Sequence, residues 1–106
     1  MAETSPFTVI IPAHNEEAVI ARCLQTILRD APRQHAMQVI VAANGCKDST
    51  VAVARAAAPE AIVLDLPVGS KTAAINEANA VALYFPRIFL DADVECDGDA
   101  ATLLTE

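Results

Sequence analysis

Four short apolar runs rich in β-branched residues, each separated from the next by a stretch of helical periodicity, constrain this chain more than any other feature. They are Phe7-Thr8-Val9-Ile10-Ile11, Gln38-Val39-Ile40-Val41-Ala42, Ala61-Ile62-Val63-Leu64 and Ile88-Phe89-Leu90. The first two have no polar alternation, so they read as strands covered on both faces. Spacings of about 23 to 30 residues, each filled by one helix, are those of successive βαβ units and predict a parallel sheet with right-handed crossovers. The expected fold is α/β, a Rossmann-like three-layer α/β/α arrangement with a mainly parallel sheet. Composition agrees, since 54% of the 106 residues are hydrophobic but only 4% aromatic, and the alanine-rich remainder suits helices packed closely on a sheet. One domain is the most that this length supports.

The connecting segments carry recognisable stops and starts. Pro12 is expected to end the first strand, and Asn15 to cap a helix whose apolar positions Val19, Ile20, Cys23, Leu24, Ile27 and Leu28 recur at helical spacing. Glu16 and Glu17 sit where the helix dipole favours negative charge, and Pro32 closes the helix. Asp48-Ser49-Thr50 is expected to cap a second helix that Pro59 stops, and Ser70 to begin a third that ends by Pro86. Asp99 onward looks like the opening of one more. Cys23, Tyr84, Phe85 and Phe89 read as core. Ligands of parallel sheets bind at the carboxyl ends of the strands, which gathers four loops on one edge: residues 12–16, 43–48, 66–71 and 91–97.

Several residues in those loops can do chemistry. Asp91 and Asp93 leave the fourth strand on the same side, and two carboxylates so placed repel unless a cation sits between them. Mg²⁺ or Mn²⁺, held by one or two carboxylates and completed by phosphate and water, is a natural guest, although a solvated acidic turn has the same pattern. Asn44, before Gly45, is either plain turn chemistry or an amide that can pair with a nucleobase edge. Lys71 opens a helix, where the dipole disfavours a cation; it is either a solvated lysine or an answer to an anionic ligand such as a diphosphate. His14 has no second histidine nearby in its motif and reads first as a turn residue.

Other functions are excluded or unsupported. The net charge of −7 argues against a nucleic-acid partner, which requires a basic stripe. There is no Gly-x-Gly-x-x-Gly after the first strand, and Gly69-Ser70-Lys71-Thr72 lacks the pattern of a P-loop. A haloacid-dehalogenase-type phosphatase, which also uses Asp-x-Asp after a strand, is not supported, since Glu95 stands where that pattern has threonine. The three cysteines lack paired metal-ligand spacing and suggest neither a disulfide framework nor a zinc site. With no apolar run near membrane-spanning length and no signal-peptide pattern, a cytoplasmic location is the expectation.

Taken together, the loops resemble one family. Val9-Ile10-Ile11-Pro12-Ala13-His14-Asn15-Glu16-Glu17 is similar to the opening strand and Pro-x-x-Asn-Glu turn of family 2 inverting glycosyltransferases, which have the GT-A nucleotide-sugar-binding fold. Ala43-Asn44-Gly45-Cys46-Lys47-Asp48-Ser49-Thr50 resembles that family's Asp-Asp-Gly-Ser-x-Asp-x-Thr loop. Gly69-Ser70-Lys71-Thr72-Ala73-Ala74-Ile75-Asn76 resembles its Gly-x-Lys-x-x-Ala-x-Asn helix, and Asp91-Ala92-Asp93 its metal-binding Asp-x-Asp. The resemblance implies the N-terminal part of a GT-A fold, a nucleoside-diphosphate sugar as donor (uridine-based by expectation) and transfer to an acceptor it does not identify. It implies that Pro12, Ala13, His14, Asn15, Glu16 and Asn44 hold base and ribose, that Lys71 and Asp91 lie near the nucleotide, and that Asp93 ligates Mn²⁺ or Mg²⁺. The chain departs at Ala43-Asn44, where the family has two aspartates, and at Cys46 in place of serine. The acceptor-binding half and its general base are expected beyond residue 106, so residues 1–106 are expected to form a donor half-domain. The other reading is a non-catalytic nucleotide-sugar-binding or partner-complementing module. A sheet edge left open by such a half-domain would favour a homodimer or other self-association.

Overall fold

The structure, a computed structural model, describes residues 6–30 and 37–92. It contains β1 (Phe7–Ala13), α1 (Ile20–Asp30), β2 (Met37–Asn44), α2 (Thr50–Ala57), β3 (Ile62–Leu66), α3 (Lys71–Val81) and β4 (Arg87–Phe89). The four strands form one sheet in the order β3-β2-β1-β4, and every pairing is parallel. Asp93, the expected metal ligand, lies outside the described residues, as do Cys96, Asp97 and the expected helix from Asp99.

Strand alternation divides the core into two layers. Val9, Ile11, Val39, Val41 and Ile88 point to one face, where Ile20, Cys23, Leu24 and Ile27 of α1 and Ala54 of α2 cover them. Ile10, Ile40 and Ala42 point to the other, against Ala74 and Ala78 of α3. The small residues on α3 let the helix lie close to the sheet, which is what the alanine-rich composition anticipated. Hence α1 and α2 share one face and α3 takes the other, the α/β/α layering expected from the sequence.

The aromatic residues depart from expectation. Phe85 is 74% exposed and Phe89 48% exposed, and Tyr84 is also on the surface. Phe89 pairs in register with Ile10 and therefore faces the α3 side, where among the described residues only α3 gives cover. Phe85 instead lies under the Arg87 guanidinium, 4.0 Å from its ring centre, a cation–π contact available to a solvated ring.

Pro12 also behaves differently: β1 continues through it to Ala13, paired with β2 as Pro12↔Ala42 and Ala13↔Ala43. In a parallel ladder alternate residues bond to alternate neighbours. Thr8 N–H donates to Pro86 O, and Leu90 N–H donates to Ile10 O. Pro12 is the next residue of β1 facing β4, and it has no N–H to extend that ladder. The β1–β2 side is unaffected, whereas β1 and β4 part at this point. The sequence order 3-2-1-4 also reverses direction between β1 and β4, so the parting falls at the topological switch point of the sheet.

Candidate functional site

A cleft of about 240 Å³ opens where β1 and β4 separate, lined by Pro12, Ala13, His14, Glu16, Asn44, Lys71, Asp91 and Ala92. Of the residues the sequence nominated for nucleotide contact, all but Asn15 line it. They arrive from four different elements: the end of β1, the end of β2, the first turn of α3 and the segment after β4.

Asn44 is the last residue of β2 and is buried. Its side-chain Nδ2 donates to Ala13 O at 3.1 Å and to Ala42 O at 3.2 Å, which ties the ends of β1 and β2 together. Carbonyls only accept, so the amide orientation is settled, and its Oδ1 is the group it can turn to a ligand.

His14 is similarly constrained. Its Nδ1 lies 2.6 Å from Asn44 O, and its Nε2 lies 3.3 Å from Asn15 Nδ2. Asn15 Oδ1 accepts from Lys47 N–H at 2.7 Å, which fixes Nδ2 as the donor. His14 Nδ1 therefore carries the proton and Nε2 accepts, one neutral tautomer assigned from the surrounding network. The ring edge rests on the third loop, where a Cβ on Gly69 would come 3.4 Å from His14 Cε1.

Asn15 does not cap α1. It has a left-handed backbone, φ 54°, and its side chain is spent on Lys47 N–H and His14. The expectation of a local cap fails because the first turn before α1 takes its partners from the second loop: Glu16 N–H donates to Thr50 Oγ1 at 2.8 Å, and Glu17 N–H to Asp48 Oδ2 at 3.3 Å. In return Ser49 N–H donates to Glu17 Oε1 at 2.7 Å, while within the second loop Thr50 N–H donates to Asp48 Oδ1 at 2.9 Å. Ser49 occupies the cap position of α2 without a side-chain cap bond. Ser70, by contrast, caps α3 as expected, its hydroxyl accepting from Ala73 N–H. Motif reading assigns Glu17, Asp48 and Thr50 no role at the site: Asp48-Ser49-Thr50 reads as a cap of its own helix, which Asp48 does provide to Thr50 N–H, and the bonds to the first loop have no local signal.

Gly45 brings the second and third loops together. Its φ is +60°, and its N–H donates to Leu66 O at 2.8 Å. A Cβ there would lie 2.6 Å from Gly69 Cα, so no other residue fits without moving the backbone.

Lys71 opens α3, and its ammonium meets Asp91 Oδ1 at 2.7 Å. The cation that the helix dipole disfavours is thus balanced within the chain. Asp91 supplies the hard oxygen donor that Mg²⁺ and Mn²⁺ prefer. Among the described residues no three His, Cys, Asp or Glu side chains converge in a metal-binding group. Also among these residues, no helix is long and apolar enough to cross a membrane.

A search of the curated proteins finds no match to this chain. The family model "Glycosyl transferase family 2" matches residues 8–106, from the start of β1 through the cleft and beyond. The parallel sheet, the cleft at its switch point and that match over most of the sequence lead to one assignment: the chain belongs to glycosyl transferase family 2.

Proposed function

We propose that the chain forms the donor-binding half of a family 2 glycosyltransferase and holds a nucleoside-diphosphate sugar, a UDP-sugar first among them, in the cleft between β1 and β4. The observation that carries this reading is the convergence of Asn44, Lys71 and Asp91 on one cleft at the switch point of the sheet. Asn44 has only an acceptor to offer, which suits the N3–H of uracil. Lys71 is the cation facing a diphosphate, and Asp91 supplies a half-exposed carboxylate suited to a ribose hydroxyl. A volume of about 240 Å³ is smaller than the roughly 300–1,000 Å³ of a complete small-molecule pocket, so the described cleft suits part of the donor, base and ribose foremost.

Asp93 would ligate Mn²⁺ or Mg²⁺ beside the diphosphate. Such an ion takes one or two carboxylates and completes its shell from phosphates and water, so the donor set of an Asp-x-Asp pair fits without a third protein ligand. Once bound, it would stabilise negative charge on the departing diphosphate.

Calorimetric titration with UDP, with and without Mn²⁺, tests the reading, using Asp93→Ala and GDP as controls. Mn²⁺-dependent UDP binding that is lost in the variant and exceeds GDP binding is the expected result. A folded chain that binds neither nucleotide overturns it. UDP binding with no sugar turnover toward any acceptor would favour a binding module over a complete catalyst.

A further inference from the structure

The cleft is shaped by residues that do not line it. We propose that Glu17, Asp48 and Thr50 are positioning residues: by exchanging hydrogen bonds between the β1 and β2 loops they hold the His14–Glu16 turn in the conformation that the cleft requires. The proposal deepens the nucleotide-binding reading above and rests on it.

Two helix N-termini ordinarily satisfy their free N–H groups with their own local caps. Here the caps are traded in part, since the N–H of Thr50 is received within its own loop, by Asp48 Oδ1. The backbone N–H groups of Glu16 and Glu17, which lead into α1, are received by Thr50 Oγ1 and Asp48 Oδ2 at the start of α2. The N–H of Ser49, at the start of α2, is received by Glu17 Oε1. Thr50 ties the two acceptors of the second loop together, because its hydroxyl accepts from Glu16 N–H and donates to Asp48 Oδ1. It is fully buried, so no water competes for that role.

The turn so held has an uncommon backbone. Asn15 is left-handed, and its side chain connects Lys47 N–H to His14 Nε2. The same turn carries the two bonds that fix the His14 tautomer, to Asn44 O and Asn15 Nδ2, the rest of His14 against Gly69, and Glu16 at the cleft wall. Sequence register explains why the exchange is possible: Ala13 and Ala43 are paired neighbours, so the loops leaving β1 and β2 start side by side. Glu17, Asp48 and Thr50 are absent from the cleft lining, whereas Glu16, whose N–H Thr50 receives, is in it. A cap that served stability alone would leave ligand affinity and the His14 proton untouched once the chain was folded.

The test compares Thr50→Val, which keeps shape and burial but lacks the hydroxyl, with Thr50→Ser, which restores it. Circular dichroism checks folding, calorimetry reads UDP affinity with Mn²⁺, and ¹⁵N NMR of the imidazole reads the His14 tautomer. Thr50→Val is expected to bind UDP roughly tenfold more weakly, the low end of what losing a supporting contact costs at metal sites, and to show His14 as a mixture of tautomers. Thr50→Ser is expected to recover both. A folded Thr50→Val with the wild-type His14 signal overturns the proposal, whatever its affinity. If Thr50→Val does not fold, Glu17→Ala takes its place with Glu17→Gln as the rescue, since the amide oxygen can still accept from Ser49 N–H. A wild-type chain that binds no UDP overturns the nucleotide reading instead, and the positioning role then stands or falls on the His14 signal alone.

Discussion

Lys71 Nζ and Asp91 Oδ1 lie 2.7 Å apart at the cleft, joining the first turn of α3 to the segment that follows β4. The two side chains are 60% and 50% exposed, so water and salt screen the pair and its contribution to stability is under about 1 kcal/mol. Its consequence lies in where it keeps the ammonium. Lys71→Ala is expected to leave the unfolding midpoint in urea nearly unchanged while lowering UDP affinity about tenfold, the value of one hydrogen bond to a charged group. A variant that unfolds early, or that binds UDP as well as wild type, would show that the ammonium serves the fold and not a ligand.

The approach of Gly45 to Gly69 makes a sharper stability prediction. Gly45→Ala places a methyl group 2.6 Å from backbone that belongs to another loop, at a residue whose φ of +60° disfavours any side chain. Strain of this kind costs about 2–3 kcal/mol. The corresponding fall in ΔG of unfolding is measurable by urea denaturation, with no change expected in the slope. Gly69→Ala is the informative contrast, because its nearest neighbour is a His14 ring carbon at 3.4 Å and the ring has room to yield. Equal loss in the two variants would mean that the loops do not meet as described.

These contacts mark the boundary of what the sequence made legible. The four strands, their order of helices and the edge on which the loops gather followed from apolar runs and their spacing, because those patterns answer to burial, which is a local average. Ser70 was readable as a cap because its bond to Ala73 N–H is local. Asn15 departs from expectation for the same reason: local preference assigns it to its own helix, while the acceptors for that helix sit more than thirty residues away, at Asp48 and Thr50. Pro12 was expected to end β1, yet a proline removes a donor toward one neighbour only, and which neighbour depends on a register that no single strand displays. For Phe85 and Phe89 hydrophobicity alone predicts the core, but it states a preference for cover and not whether cover is present.

Asn44 offers a test of the same distinction between type and context. The family motif favours aspartate in this loop, so Asn44→Asp looks conservative. In this chain Nδ2 of Asn44 donates to Ala13 O and Ala42 O, and a carboxylate would face both carbonyls without a proton to give. Burial leaves no water to mediate. The substitution is expected to destabilise the fold by about 3 kcal/mol at neutral pH, from two lost bonds and a buried charge near like partial charges. The loss should shrink in acid, where the introduced carboxyl is protonated and regains one donor. Thermal unfolding of the variant at neutral and acid pH measures both effects, and a variant as stable as wild type at neutral pH would mean that the amide does not bridge the strand ends.

Asp48 sets the expected acid limb of stability for the loop exchange. The Thr50 hydroxyl is the main cause holding its carboxyl below the usual range; partial desolvation pushes the other way, and the backbone N–H groups of Thr50 and Glu17 add to the lowering. A folded-state pKa below the unfolded one means that the unfolded chain binds more protons, so stability rises with pH across that interval. The contribution is fully present above the unfolded value of about 3.9 and is lost as pH falls through the lower folded value. The gap in melting temperature between wild type and Asp48→Asn should therefore be constant from neutral pH down to the carboxylate range and narrow below it. A carbon-detected NMR titration of the Asp48 carboxyl should show a midpoint lower than that of a free aspartate, and Thr50→Val should move it upward. A midpoint at the free value in the wild-type chain, or one that Thr50→Val leaves in place, would mean that the hydroxyl does not bond to this carboxylate in solution, and that Asp48 and Thr50 receive Glu17 N–H and Glu16 N–H independently of each other.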